Sequence, residues 1–572
     1  MSAAVDYNKP NAYGAFCIVL HSHIPFCRKS GVWPFGEEWV FEGITETYIP
    51  LLNIIYELKE KRIYPKFTIS FSPVLMEQLN DEYMLKRYEE YINEHIEIAK
   101  KDIYRFSTTE KNDSLLFLAE YYKNNFISLR NDFFNKYEGK ILKHFAELQD
   151  EGLIEVITSA ATHPYLPLLS RDSSIYSQIK VGIEVYKKYF HCMPRGFWLP
   201  ECGYRPQYFK NITANESYYK PAIDEFLVKE GIKYIIVDSY AVEGKESFWG
   251  GKCDNLYRYS LSEEEHYIKS FHTNNSSYLP YILPSGCMVV ARNKVAGLQV
   301  WSSEYGYSCD GNYRDFYKRD PTSGLQYWKI TDKNLPELFK EVYQPENTKI
   351  RVDENAYHFN ILVENLLKDF KESRNEYGLV LTAFDTELFG HWWYEGIEWL
   401  KLVVEKMYLN PFLHQLTVEE FLTHKPPKEK IELPESSWGP GNNSHLWYNK
   451  DTEWMFRHIE KCELLLEDLL ARYNAVKPGE KLYTVLAQLA RELLLMEASD
   501  WQFLISTKSG TEYATQRFIA HYQRFIRLYE GIEHNEYTSQ EFKNYLLEVQ
   551  DVDNLFPDID PYIFSRREPQ PF

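Results

Sequence analysis

The sequence has no closely spaced pair of cysteines. Its eight cysteines (Cys17, Cys27, Cys192, Cys202, Cys253, Cys287, Cys309 and Cys462) are scattered over 572 residues without one CxxC. That excludes a zinc knuckle and a disulfide frame, and predicts reduced thiols in a cytosolic protein. Positive charge is also in deficit: 64 basic side chains face 83 acidic ones, a formal charge of −19. A phosphate-binding surface needs the opposite balance, so nucleic acid and anionic membranes are not expected partners. No apolar run approaches the roughly 18 residues of a membrane span. The N-terminal MSAAVDYNKPNAYG lacks the basic and apolar regions of a signal peptide. A cytoplasmic protein is expected, and no internal repeat is visible.

What is abundant is aromatic. Rings make up 16% of the chain, with 46 Tyr and 13 Trp. Rings with a polar edge suit flat, neutral ligands such as sugars, although a biased composition gives the same count. The length predicts two or three domains.

Short apolar runs recur through the first two thirds: AFCIVLHSH (15–23), KFTISFS (66–72), LIEVITSA (153–160), GFWL (196–199), KYIIVD (233–238), CMVVA (287–291) and GLVLTAFD (378–385). Helical patterns such as 47–61 and 219–231 alternate with them. Continuous apolar strands alternating with helices predict a parallel sheet covered on both faces. Seven such runs indicate a barrel, with LQVWSS (298–303) as an eighth strand or a loop. Residues 80–148 break the rhythm with charged, tyrosine-rich helices, read as an insertion near the barrel mouth. Residues 239–285 read as a long loop over the site. From about 405 the strand rhythm stops, and helices are predicted at 451–473, 481–506 and 512–530. The expected division is a barrel (1–79 and 149–405), the insertion (80–148) and an all-α C-terminal domain (406–572).

Several runs end in groups capable of chemistry, and a parallel barrel keeps its active site at the C-terminal strand ends. In HSH, strand alternation sends His21 and His23 to one side, as metal ligands or as hydrogen-bonding partners of a polar substrate. In GFWLPECGY, Pro200 fixes the backbone before Glu201 and Gly203 permits a tight turn after it, beside Trp198. Such a glutamate serves as nucleophile, base or metal ligand. In LTAFDTELFGHWWYEG, Asp385 closes the strand, Glu387 and His391 follow, and Trp392 and Trp393 offer indole faces near the rim. Paired with Glu201 at about 5–5.5 Å, Asp385 suits a retaining glycosidase.

HSHIP (21–25), ATHPYLP (161–167), GFWLPECGY (196–204) and FDTELFGHWW (384–393) resemble the ordered motifs of glycoside hydrolase family 57. GVWPFGEEW (31–39), LPSGCMVVAR (283–292), LQVWSSEYGYSCDGNYRDFY (298–317), SSWGPGNNSHLWY (436–448) and EASDWQFLI (497–505) resemble its branching members. The resemblance implies a distorted (β/α)7 barrel with a helical insertion and a C-terminal helical domain. It implies an α-1,4-glucan substrate, transfer to a 6-hydroxyl and no cofactor or metal. It also implies Glu201 as nucleophile and Asp385 as acid/base, with His21, His23 and His163 on the sugar at the cleavage point. Trp33, Trp301, Trp438 and Trp447 are expected to line the cleft, with Trp198, Arg292, His391 and Trp392 beside it. Tyr278 stands where a loop tyrosine favours branching over hydrolysis, and Asp500 and Trp501 bring in the C-terminal helices. The charged EEEHYIKSFHTNNSS (263–277) and the SCDG turn (308–311) depart from that pattern. The alternatives are an α-amylase or 4-α-glucanotransferase, a deacetylase-like hydrolase with zinc on the three histidines, and a glucan-binding protein without activity.

Overall fold

Each of the seven apolar runs forms a strand. In the computed structural model, which describes residues 9–211, 217–244 and 273–567, these are β1 (Gly14–Ser22), β2 (Thr68–Phe71), β3 (Glu155–Ser159), β4 (Gly196–Trp198), β5 (Tyr234–Val237), β6 (Met288–Ala291) and β7 (Gly378–Asp385). They lie side by side in the order β7-β1-β2-β3-β4-β5-β6, all parallel. No strand pairing closes β6 onto β7. One backbone hydrogen bond, from Asn293 N–H to the Leu381 carbonyl at 2.6 Å, crosses that gap. The result is a strongly curled sheet, a distorted (β/α)7 barrel. Two short strands extend it: Tyr281–Ile282 runs antiparallel to β6 and makes the sheet mixed, and Leu413–Gln415 pairs in parallel with β1.

The strands read as unbroken apolar runs because both faces are covered; every residue of β1 to β5 is buried. Alternation separates two cores. Ala15, Cys17, Val19, Ile157, Trp198, Ile236, Leu379 and Leu381 point inward. Phe16, Ile18, Leu20, Ile69, Phe71, Phe197 and Ile235 pack outward under the helices. Each such side chain contributes roughly 1.5–3 kcal/mol on burial.

Residues 80–148 are helical as expected: Glu82–Tyr104, Asp113–Asn131 and Ile141–Asp150, the first two capped by Asp81 and Asn112. LQVWSS is neither strand nor loop for most of its length. It continues a helix, Lys294–Trp301, started by the Asn293 side chain, which accepts from Ala296 N–H at 3.0 Å; a short apolar run does not distinguish strand from buried helix. The helix read at 219–231 starts only at Ile223, since Ser217–Lys220 pairs with Tyr208–Asn211 in a hairpin. Of the loop at 239–285, residues 245–272 lie outside the described residues.

The C-terminal helices are Glu453–Arg472, Lys481–Glu497, Ser499–Ser506, Thr511–Glu533 and Gln540–Val552. The span read as one helix at 481–506 is broken at Ala498, where ψ is 134°. There the chain bridges to Pro164, and Ser499 N–H donates to the His163 carbonyl at 3.0 Å. That break docks the C-terminal helices on the loop after β3. Cys17, Cys27, Cys192, Cys202, Cys287 and Cys462 are free thiols. Among the described residues no helix is long and apolar enough to cross a membrane.

Gly390, five residues beyond β7, has φ +98° and a position where a Cβ would lie 1.8 Å from the Glu46 carbonyl oxygen. Gly390→Ala therefore combines a left-handed backbone with a clash that only backbone movement relieves. It should destabilise the protein by about 2–4 kcal/mol, read as a lower thermal midpoint; an unchanged midpoint would refute this packing.

Candidate active site

Parallel register brings the first functional groups together. His21 lies beside Asp385 on one side and Ser70 on the other, all at C-terminal strand ends. Glu201 sits just past β4 in a Pro200–Cys202 turn, with φ 60° and ψ 20°. Cys202 is left-handed too, at φ 50°, whereas Gly203 has φ −72°. The turn thus places its strain on the glutamate and its neighbour, not on Gly203. Gly203 is needed for closeness instead: a Cβ there would meet Pro200 O and Tyr165 at 3.0 Å. Non-glycine residues persist in this region only when their surroundings hold them; here Trp438 N–H donates to the Glu201 carbonyl at 2.9 Å.

The two carboxylates differ in their donors. Glu201 Oε2 accepts from Trp438 Nε1 at 2.6 Å, and Oε1 from the Ser499 hydroxyl at 3.2 Å. Asp385 accepts no hydrogen bond among the described residues. Burial pushes Glu201 up to about 7, against the Trp438 and Ser499 donors and with Asp500 adding to the rise. Burial and then the charge of Glu201 push Asp385 up to about 7, against His23 and Arg292. Donors to a carboxylate favour its charged form, so the pair's last proton belongs on Asp385.

All six nitrogens of the three histidines have protein partners. His21 Nε2 meets His163 Nε2 at 2.9 Å, His21 Nδ1 meets Ser70 Oγ at 3.2 Å, and His163 Nδ1 meets Ser499 Oγ at 3.2 Å. His23 Nδ1 meets Ser72 Oγ at 2.9 Å and its Nε2 meets Asp500 at 3.1 Å. Burial, then the charge on His23, holds His163 well below its ordinary value, and His21 likewise. Burial also opposes charge on His23, but Asp500, Glu201 and Glu387 outweigh it and raise its pKa. A zinc ligand needs a lone pair directed at the metal, and these lone pairs face one another and three serines. Among the described residues one group has metal-like spacing, Glu492, His521 and Asp553 in the C-terminal helices. Cations already occupy it: Arg517 lies 3.2 Å from His521 Nε2, and Arg524 donates to Asp553 at 2.6 Å.

Glu201 and Asp385 open on one cavity of about 570 Å³, within the usual range for ligand pockets. Of the expected residues, His21, His23, His163, Asp500, Trp33, Trp301, Trp392, Trp438, Arg292 and His391 also line it. Trp33 is 69% exposed at the rim. The Trp301 and Trp392 rings meet edge to face at 6.0 Å. Arg292 is fixed by Asp238 at 2.6 Å over the face of Trp438, and His391 by Glu46 at 2.6 Å.

Five aromatic assignments need correction. Trp447 is fully buried with its face on Tyr165, centroids 4.5 Å apart, and cannot present that face to a ligand. Trp501 is buried as well, its Nε1 donating to Leu495 O at 2.8 Å; its neighbour Asp500 reaches the cavity instead. Trp198 lies beneath the site, stacked on His21 at 4.8 Å, and acts as a floor for the histidine. Trp393 belongs to the outer core rather than the rim. Tyr278 stacks on Phe370 at 4.8 Å and is absent from the cavity wall.

Three lining or supporting residues carried no assigned role. Glu387 faces the cavity, takes the Tyr48 hydroxyl and is pushed up to about 7 by burial. Asp238, a strand-end acid, anchors Arg292. Ser499 had no sequence signal beyond its place beside Asp500.

The sequence pattern of Glycosyl hydrolase family 57 matches residues 17–434, and that of the 1,4-alpha-glucan branching enzyme C-terminal region matches residues 458–564. A 1,4-alpha-glucan branching enzyme of Thermococcus kodakarensis is 40% identical over 554 residues, 96% of this chain and 78% of that one. Its crystal structure superposes with a TM-score of 0.87, covering 97% of both chains. The family 57 branching enzyme of Pyrococcus horikoshii gives 0.85 at 40% identity and 98% of both chains. An alpha-amylase of Thermotoga maritima gives 0.79 at 30% identity, covering 97% of this chain and 99% of that one. With its strand-end carboxylates and histidines, this chain belongs to glycosyl hydrolase family 57.

Proposed function

We propose that the protein is a 1,4-α-glucan branching enzyme, working by double displacement with Glu201 as nucleophile and Asp385 as acid/base. The observation that supports the assignment of roles is the asymmetry of donors among the described residues, two on Glu201 and none on Asp385. The similarity to branching enzymes over nearly the whole chain supports the reaction.

In the first displacement Glu201 attacks the anomeric carbon while Asp385 protonates the departing glycosidic oxygen, leaving a glucosyl ester on Glu201. Asp385, now a base, takes the proton of an acceptor 6-hydroxyl, which displaces Glu201 and forms the α-1,6 branch. Water in the acceptor's place gives hydrolysis, so the outcome depends on what fills the cavity. Trp33, Trp301, Trp392 and Trp438 offer faces on which glucose units stack. Arg292 and His23–Asp500 supply fixed polar groups. The C-terminal helices take part directly, since Asp500 and Ser499 come from them. The working division is a barrel at 1–79 and 149–405, an insertion at 80–148, and a C-terminal part from 406 that is mainly helical but whose strand Leu413–Gln415 pairs with β1. Amylose, or a glycogen-like chain, is the expected substrate in a cytoplasmic setting.

Linkage analysis after incubation with amylose distinguishes this reading from an amylase. New α-1,6 branch points should exceed newly released reducing ends; chain shortening without branch points would refute branching. The pH dependence follows from the two carboxyl groups. Attack requires ionised Glu201, so rate is lost as pH falls; leaving-group protonation requires protonated Asp385, so rate is lost as pH rises. Both groups stand at about 7, so kcat/KM should peak near neutrality and fall about tenfold per pH unit on either limb. A flat profile from pH 5 to 9 would contradict the pairing.

A further inference from the structure

Two serines, two histidines and the nucleophile can be given protons without ambiguity, and the result has a direction. An ionised Glu201 only accepts, so the Ser499 hydroxyl, 3.2 Å from Oε1, must spend its proton there. The Ser499 oxygen then accepts a hydrogen bond from His163 Nδ1–H, also at 3.2 Å. His163 is neutral, so its Nε2 is a lone pair and accepts from His21 Nε2–H across 2.9 Å. Neutral His21 keeps a lone pair on Nδ1, which accepts from the Ser70 hydroxyl at 3.2 Å. All four intermediate residues are buried.

We infer that Ser499, acting with His163, His21 and Ser70 as one unidirectional hydrogen-bond chain, is a positioning residue that keeps the nucleophile Glu201 charged and oriented. This rests on the reading of Glu201 as nucleophile. Protonating Glu201 turns every link around: its O–H donates to Ser499, both histidines change tautomer, and the Ser70 hydroxyl loses its acceptor. The chain therefore resists a proton on Glu201 by more than one hydrogen bond. It also gives the C-terminal helices a task in the chemistry, because Ser499 is delivered by the break at Ala498 that docks them on the β3 loop. The other titratable groups facing Glu201 are Asp385 from β7, His23 from β1, Asp500 from the same short helix as Ser499, and the Cys202 and Tyr165 side chains. Serine substitutions leave each of them in place.

The test is the pH profile of kcat/KM for branching, measured on full-length wild type, Ser499→Ala, Ser499→Thr and Ser70→Ala, with Glu201→Gln as control. Ser499→Ala should move the acidic limb upward by about one pH unit, cutting kcat/KM about tenfold at pH 6 while leaving the alkaline limb and KM nearly unchanged. Ser499→Thr, which keeps a hydroxyl, should restore the limb. Ser70→Ala, three hydrogen bonds farther from Glu201, should move it in the same direction by less. An equal loss at every pH, or an acidic limb that stays put in either alanine variant, overturns the chain. Glu201→Gln should be inactive throughout; activity in that variant overturns the nucleophile assignment itself, whatever the serines do.

Discussion

A carboxylate that attacks carbon must hold its charge where water has been removed, and in the proposed mechanism the two donors on Glu201 meet that demand. Burial alone would leave the side chain protonated and inert near neutral pH. The Trp438 indole and the Ser499 hydroxyl replace the lost solvent, one on each oxygen. Among the described residues Asp385 has no such donors, and it opens on the same cavity under the charge of Glu201, as its proposed role of proton-delivering acid requires. In that proposal two similar groups acquire opposite tasks from their neighbours.

Both donors come from far along the chain, which explains much of the architecture. Strand ends supply the two carboxylates and the histidines, as parallel barrels do. Trp438 lies in the loop after the barrel, and Ser499 follows a break in the C-terminal helices. The barrel alone leaves Glu201 without either donor. The left-handed conformation of Glu201 fits this dependence, since the backbone N–H of Trp438 also holds the Glu201 carbonyl.

The fold was largely legible in the sequence because strands covered on both faces leave unbroken apolar runs, and all seven were in view. LQVWSS misled because a short apolar run fits the end of a buried helix as well as a strand, and the helix's capping Asn293 lies outside that run. The break at Ala498 was invisible: nothing in LLLMEASDW interrupts helical periodicity. At the site, the carboxylates and histidines that share the cavity were legible from their position at strand ends. The tryptophans were less so, since an indole serves a core and a sugar equally well. Trp447 and Trp501 went to the core, Trp33 and Trp301 to the cavity, and composition does not separate them. Ser499 is the sharpest case, a common residue whose role exists only through a contact 298 residues away in sequence.

The most direct measurement is covalent trapping with an activated, fluorine-substituted α-glucosyl donor, followed by peptide mass spectrometry. Fluorine slows the second displacement, so the ester intermediate accumulates. The account predicts one glucosyl label, on Glu201 in the peptide spanning Trp198–Tyr204. A label on Asp385, Glu387 or Asp500, or turnover with no covalent adduct, would contradict it.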